Sequence, residues 1–308
     1  MAPDAPLPPP PNAIRRAGLF GLPLMLALGG CASFNYRNDD APAALPGLTP
    51  LDPAPRLALV LGSGGPRGYA HLGVLRVLEE AGIHPDLVVG SSVGALLGVF
   101  WASGLDAQEL DRRSLDGGPL TVFDPNPFAD RGWIRGQRLH DYVNQGLGGR
   151  ALEDLPRRVI VVATERNTKQ ARFFTRGNAG VAVRASCAMP GIVSPVGIAG
   201  VEYEDADESL PVAVSAARAA GAQFVLAVDV SARPGSTPPQ ASAAQRERDQ
   251  RRRQRIDPEV ALADALIHPD LDYWAGPRRA YFLDSRRRGE LAARQQLPDL
   301  LRQLERQA

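Results

Sequence analysis

The chain has 308 residues, 44% of them hydrophobic and 22% charged, which suits one sizeable α/β domain with appendages or at most two small domains. A net charge of +1 excludes the global positive field that would gather nucleic acid. The two cysteines, Cys31 and Cys187, exclude a disulfide framework, and with four histidines they show no ligand spacing, so neither a metal nor another cofactor is expected.

The predicted elements begin with a targeting segment. Arg15 and Arg16 precede "AGLFGLPLMLALGG", a short apolar run ending in small residues, which reads as a secretory signal peptide over residues 1–30. The run is shorter than the roughly 20 apolar residues a membrane span takes, and Pro23 interrupts it. Leu28-Gly29-Gly30-Cys31 resembles the bacterial lipobox, which implies a diacylglycerol on the Cys31 thiol. Ala32 follows, where an aspartate would favour retention at the inner membrane, so the resemblance implies a lipid-anchored protein of the outer membrane facing the periplasm. Residues 31–55, rich in Pro, Ala and Asp without an apolar period, read as a lipidated tether.

From Arg56 the pattern changes to that of a folded domain running to residue 308. "RLALVLG" is a buried strand, "YAHLGVLRVLEEAGI" a helix with Leu72, Leu75 and Leu78 on one face, and "DLVVG" a second buried strand. The helix "SVGALLGVFWASG" follows. Strand, helix, strand, helix in order predicts a mostly parallel sheet with crossover helices, a three-layer α/β/α architecture. Residues 105–155, broken by glycines and prolines, give no clear element pattern and could cover a site. "RRVIVVATE" and "ARFFTRG" read as strands, "VAVRASCAMPG" as a helix up to Pro190, and "PVAVSAARAAGA" as a helix feeding the strand "QFVLAVDVS". Residues 232–255, low in apolar and high in charged residues, read as a mobile insertion. "ADALIHPDL" returns to strand pattern, and a terminal helix with a break at Pro298 closes the chain.

Three stretches carry chemistry. Gly62-Ser63-Gly64-Gly65-Pro66-Arg67-Gly68 lies between a strand and a helix, where glycines let backbone N–H groups converge on a phosphate or an oxyanion. A dinucleotide fingerprint fits less well: Pro66 and Arg67 fill its middle, Gly68 comes one place late, and Ser91 and Ser92 stand where its acidic residue belongs. Gly90-Ser91-Ser92-Val93-Gly94 has the small neighbours that a nucleophile elbow needs, with Gly90 and Gly94 flanking Ser92, although helix capping by Ser91 or Ser92 explains it equally. "VEYEDADESL" crowds Glu202, Glu204, Asp205, Asp207 and Glu208, either a solvated loop or the source of a base for a serine hydroxyl.

Together these stretches resemble the patatin-like phospholipases. "HLGVLRVLEEAGI", "VVATERNT", "ASCAMPGIVSPV" and "AAGAQFVLAVDVS" look like blocks of that family in the family's order, covering roughly Arg56 to Ser231. The resemblance implies a serine acyl hydrolase acting on ester-linked membrane lipids through a Ser–Asp dyad. Ser92 would be the nucleophile and Asp205 its base, with Gly64 and Gly65 in the oxyanion hole and Arg67 supporting the loop. Two departures stand out. The family's Asp-Gly-Gly or Asp-Gly-Ala is here Asp205-Ala206-Asp207, and Ala213 stands where the family often has proline.

Two rival readings remain at this level. Ser92, Asp205 and His268 satisfy the chain order of an α/β-hydrolase triad, while His71 reads as packing and His84 and His140 as loop or surface residues. A lipid-anchored domain with an altered Asp turn is also compatible with a module that binds lipid or a protein without turnover. The run Arg246 to Arg255 reads as a solvated stretch, with contact to anionic head groups as the alternative.

Overall fold

The apolar runs of the sequence become the middle of one sheet. A computed structural model of the chain describes residues 35–117, 119–126 and 131–307; the signal segment and Cys31 lie outside the described residues. The first half comprises β1 (Asn35–Tyr36), β2 (Ala44–Leu45), β3 (Leu57–Leu61), α1 (Tyr69–Glu80), β4 (Leu87–Ser91), α2 (Val93–Ala102), α3 (Ala107–Gly117), α4 (Pro119–Val122) and α5 (Gln137–Gly146). Next come β5 (Arg158–Glu165), β6 (Ala171–Phe174), α6 (Ala179–Ser186), β7 (Val196–Ile198) and β8 (Val201–Glu204). The last are α7 (Val214–Ala219), β9 (Phe224–Val228), α8 (Ala243–Val260), β10 (Ala265–Ile267) and α9 (Arg279–Glu305).

The strand order is β1-β7-β8-β5-β4-β3-β9-β10, with β6 pairing both β5 and β2. The stretch β5-β4-β3-β9-β10 is parallel throughout, whereas β6 and β8 run antiparallel to β5. Successive side chains of a strand point to opposite faces, so each central strand feeds two cores. Leu57, Leu59 and Leu61 of β3 join a core with Leu72, Leu75 and Leu78 of α1, Trp101 of α2 and Leu300 of α9. Ala58 and Val60 face the other way, onto Val214, Ala216 and Ala217 of α7 and Ile256 of α8. Burial on both faces explains the unbroken apolar runs, since a parallel strand has no solvated side. Helices cover both sides of a mostly parallel sheet, as the sequence pattern predicts.

Four expectations are corrected. The supposed tether is docked over its described part. β1 pairs in parallel with β7, placing Asn35 opposite Gly197, and β2 pairs with β6. The Arg184 guanidinium donates to the Tyr36 hydroxyl at 2.8 Å and lies 5.7 Å from the centre of its ring. His140, read as a surface residue, is half-buried in α5 and stacks on Tyr36. The presumed mobile stretch 232–255 runs into α8, whose start is fixed by a capping box: Ser242 accepts from the Gln245 amide while the Gln245 side chain accepts from that of Ser242. Its high charge is consumed locally, by Arg251–Glu247 and Arg253–Asp257 pairs one turn apart and by contacts to the sheet described below. Finally, α9 runs through Pro298 without a break, because Ala293, Leu297, Leu300 and Leu304 keep one apolar stripe on the core across the proline. Within 105–155 the described residues include α3, which packs on α1, and α5, which packs on α6.

α6 matters to the site because it ends beside Ser92. Its first turn is capped by Asn178, whose side-chain oxygen accepts from the Val181 amide at 3.0 Å. Losing such a cap costs about 1 kcal/mol. Asn178→Ala is therefore expected to lower the unfolding free energy by about that amount in a urea titration, with an unchanged denaturant slope.

Candidate active site

The Gly-rich loop leaves the carboxyl end of β3 and the Ser92 turn leaves that of β4, the edge where open α/β sheets bind ligands. At the turn, Ser92 has φ 53° and ψ −121°, outside the regions a side chain prefers. It can be held there because its neighbours lack side chains. A Cβ on Gly94 would lie 2.0 Å from the Leu61 carbonyl oxygen, and one on Gly90 would lie 2.5 Å from the Ala95 Cα. Ser92 is not a helix cap: its side chain accepts nothing from the first turn of α2. Its amide instead donates to the Ser186 hydroxyl at the end of α6, 2.8 Å away. Ser91 turns the other way and donates to the Leu210 carbonyl at 2.8 Å.

The Ser92 hydroxyl donates to Oδ2 of Asp205 at 2.8 Å. β5 runs between the strands that carry them, with Val162 opposite Ser91 and Thr164 opposite Glu204. Asp205 is fixed by its own backbone: its amide donates to the Ala188 carbonyl and its carbonyl accepts from the Thr164 hydroxyl at 2.7 Å. Oδ1 accepts from the Asp207 amide at 2.8 Å. Asp205 is 2% exposed, and among the described residues no cation hydrogen-bonds its carboxylate. Burial, and secondarily the Asp207 charge, push it up to about 7; the hydrogen bonds from the Asp207 amide and Ser92 and the charge of Arg252 oppose the rise. Beside it the Cys187 thiol is held above its ordinary range, chiefly by burial and then by the Asp205 charge, and so remains a thiol.

The other acids of the cluster are taken up by cations. Glu202 pairs with Arg131 and Arg166, Glu204 with Lys169, Glu208 lies 3.8 Å from Arg255, and Asp207 pairs with Arg252. That partition singles out Asp205 from five neighbouring carboxylates, a distinction the sequence did not contain.

In the glycine loop the amides of Gly62 and Ser63 are committed to the carbonyls of Val228 and Pro211, at 3.0 and 2.8 Å. Those of Gly64 and Gly65 have no partner among the described residues, and Gly65 sits at φ +54°. Pro66 lies in the single 3-10 turn, Gly65–Gly68, that follows, and Gly68 is buried against Val93. Arg67 donates to the backbone carbonyls of Asp272 and Tyr273, tying the loop to the segment before α9. His71 Nε2 lies 2.8 Å from the Gly62 carbonyl, so it carries the proton, and burial depresses the imidazole to about 4.

His268 does not join Ser92 and Asp205. Its Nε2 lies 3.1 Å from the Ser231 carbonyl and 3.7 Å from Asp229, and the direct hydroxyl–carboxylate contact leaves no place for an intervening imidazole. The triad expectation is corrected accordingly. Two contributors were not read from the sequence: Ser186, a lone serine at a helix end, and Arg252, concealed in an arginine-rich run. Among the described residues no group of three or more His, Cys, Asp or Glu side chains is placed to hold a metal ion. No described helix is long and apolar enough to cross a membrane.

A mostly parallel sheet between helices, with a strained serine after β4 and a glycine loop after β3, is the patatin fold. Residues 59–207 match the family model "Patatin-like phospholipase". An uncharacterized NTE family protein of Mycobacterium tuberculosis is 36% identical over 184 residues, covering 58% of this chain and 50% of that protein. Lysophospholipase NTE1 of Coccidioides immitis is 29% identical over 189 residues, covering 59% of this chain and 12% of the fungal protein. This chain thus corresponds to half or less of either relative's length. Among solved structures, VipD from Legionella pneumophila superposes with a TM-score of 0.54 at 13% identity, over 85% of this chain and 71% of VipD.

Two outcomes follow from this geometry. Gly94→Ala, which drives a methyl group into the β3 backbone, is expected to abolish soluble folded protein or lower its melting temperature by about 6 °C or more, since overpacking that rigid backbone cannot relieve costs about 3 kcal/mol. His71 binds protons less readily folded than unfolded, so its contribution destabilises the fold as pH falls from about 6.5 towards about 4. His71→Gln, measured by thermal melting across that window, should flatten this part of the pH dependence.

Proposed function

We propose that this chain is a serine acyl hydrolase of ester-linked lipids, with Ser92 as nucleophile and Asp205 as its base. The observation that carries the reading is the 2.8 Å hydrogen bond from the Ser92 hydroxyl to a buried carboxylate that has no cation bonded to it. Ser92 Oγ attacks the ester carbonyl as its proton passes to Asp205. The oxyanion is met by the free amides of Gly64 and Gly65. Collapse expels the alcohol, which takes the proton back from the carboxylic acid at Asp205, and leaves an acyl group on Ser92. Water, deprotonated by Asp205, then releases the fatty acid and restores the hydroxyl. A lipid substrate accords with the family, with the name of the fungal relative, and with the exposed side chains of Trp133 and Met189. Met189 follows the Ala188 carbonyl that holds Asp205, and Trp133 precedes Ile134, which pairs with Val193. The sequence signals at residues 1–31 support placement in the bacterial envelope, anchored by acylated Cys31.

The test is hydrolysis of defined phospholipids and lysophospholipids by the purified domain, followed by mass spectrometry. Ser92→Ala and Asp205→Ala should each lose at least about 1,000-fold in kcat, while His268→Ala retains most activity. Asp205 accepts a proton only when ionised, so kcat/KM should rise with pH through about 7 to a plateau. A protein that does not label with a fluorophosphonate at Ser92 would be a binding module instead.

A further inference from the structure

Asp207 occupies the position where the resembling family carries a small residue, and its charge stands beside a buried carboxylate. Such a placement is unfavourable unless something offsets it. The offset comes from the arginine-rich helix. Arg252 of α8 donates from Nε to Asp207 Oδ1 at 2.8 Å. Its Nη2 donates to the Ser63 carbonyl at 2.9 Å and to the Ser63 hydroxyl at 2.8 Å. The Ser63 hydroxyl in turn donates to the same Asp207 oxygen. Arg255 adds a bond to the Asp207 carbonyl at 3.0 Å.

We propose that Asp207 and Arg252 are positioning residues for the reaction: one ion pair, closed through Ser63, that fixes the glycine loop relative to Asp205 and balances the charge around that carboxylate. The proposal rests on the Ser92–Asp205 reading given above. Its geometry joins the two halves of the site. From Ser92 the contacts pass to Asp205, from Asp205 to the Asp207 amide, and from the Asp207 carboxylate to Ser63, the residue before the two free amides. The planar guanidinium suits this task because one fork reaches a carboxylate, a carbonyl and a hydroxyl at fixed angles. A lysine there retains the charge and loses the fork.

The groups that face Asp205 are the Ser92 hydroxyl, the Cys187 thiol, Asp207 and Arg252; those acting on Arg252 are Asp207, Asp229, Asp205 and, as a like charge, Arg67. Asp207 and Arg252 therefore act on the Asp205 carboxyl in opposite senses. This gives a signature that a merely structural pair would not produce.

The experiment measures kcat/KM against pH, with melting temperature and fluorophosphonate labelling rate, for Asp207→Asn, Arg252→Gln, Arg252→Lys and the double variant Asp207→Asn/Arg252→Gln. Arg252→Gln should move the acidic limb up by about one pH unit and lower kcat by about tenfold or more. Asp207→Asn should move the limb down by a similar amount, and the double variant should return it close to the wild-type position. Arg252→Lys should leave the limb in place while kcat falls, because the charge remains and the fork does not. If Arg252→Gln does not fold, Arg252→Lys and Asp207→Asn decide the matter alone. A stationary limb in Asp207→Asn, or limbs displaced in the same direction by both single substitutions, would overturn the proposal while leaving the dyad intact. A wild-type protein with neither hydrolysis nor labelling would remove the dyad and this proposal with it.

Discussion

The arrangement depends on a carboxylate withdrawn from water and given a hydroxyl, not a cation, as its partner. A buried acid beside an arginine would be held firmly ionised and a poor acceptor. Asp205 escapes that fate because its acidic neighbours are paired with Arg131, Arg166, Lys169, Arg252 and Arg255, and it is left with Ser92 and the Asp207 amide. Much of the surrounding structure serves this separation. The Ala188 carbonyl and the Thr164 hydroxyl hold the Asp205 backbone still, and Ser186 holds the backbone of Ser92. On the proposed mechanism, such rigidity is what keeps the proton donor and acceptor at hydrogen-bonding distance without cost at the moment of reaction.

What was legible in the sequence followed from local rules. Continuous apolar runs, two of them ending in glycine, revealed the central strands of the parallel sheet, and leucines at helical spacing revealed α1. The crowding of glycines around Ser92 admitted two readings, cap or elbow, until the backbone placed Ser92 at a positive φ with its side chain turned away from α2. Choosing Asp205 among five acids needed either a resemblance to known proteins or the positions of the opposing cations, which come from the loop after β5, residue 131 and α8. No periodicity within residues 201–210 records them.

The failures have a common physical origin. Pattern rules equate high charge with solvation, and α8 shows how that inference breaks down. Of its described side chains Ile256 alone is buried, so no amphipathic stripe announces the helix. It docks instead through Arg252 and Arg253, the latter reaching Asp229 and the Ser231 hydroxyl, both at 3.0 Å. The same holds at the other end of the chain, where Tyr36 is fixed by stacking and by Arg184 rather than by a run of apolar residues. Polar anchoring of this kind leaves little trace in composition, because the partners are distant in the chain.

The pairing of β1 with β7 also limits reach. Asn35 is already part of the sheet and accepts through its side-chain oxygen from the Gly200 amide at 3.2 Å, and further along Leu48 and Leu51 pack on the core of the sheet's second face. On the proposed acylation, residues 35–55 would serve the enzyme as part of its body rather than as a leash, so they would lend it no freedom to sweep across a bilayer.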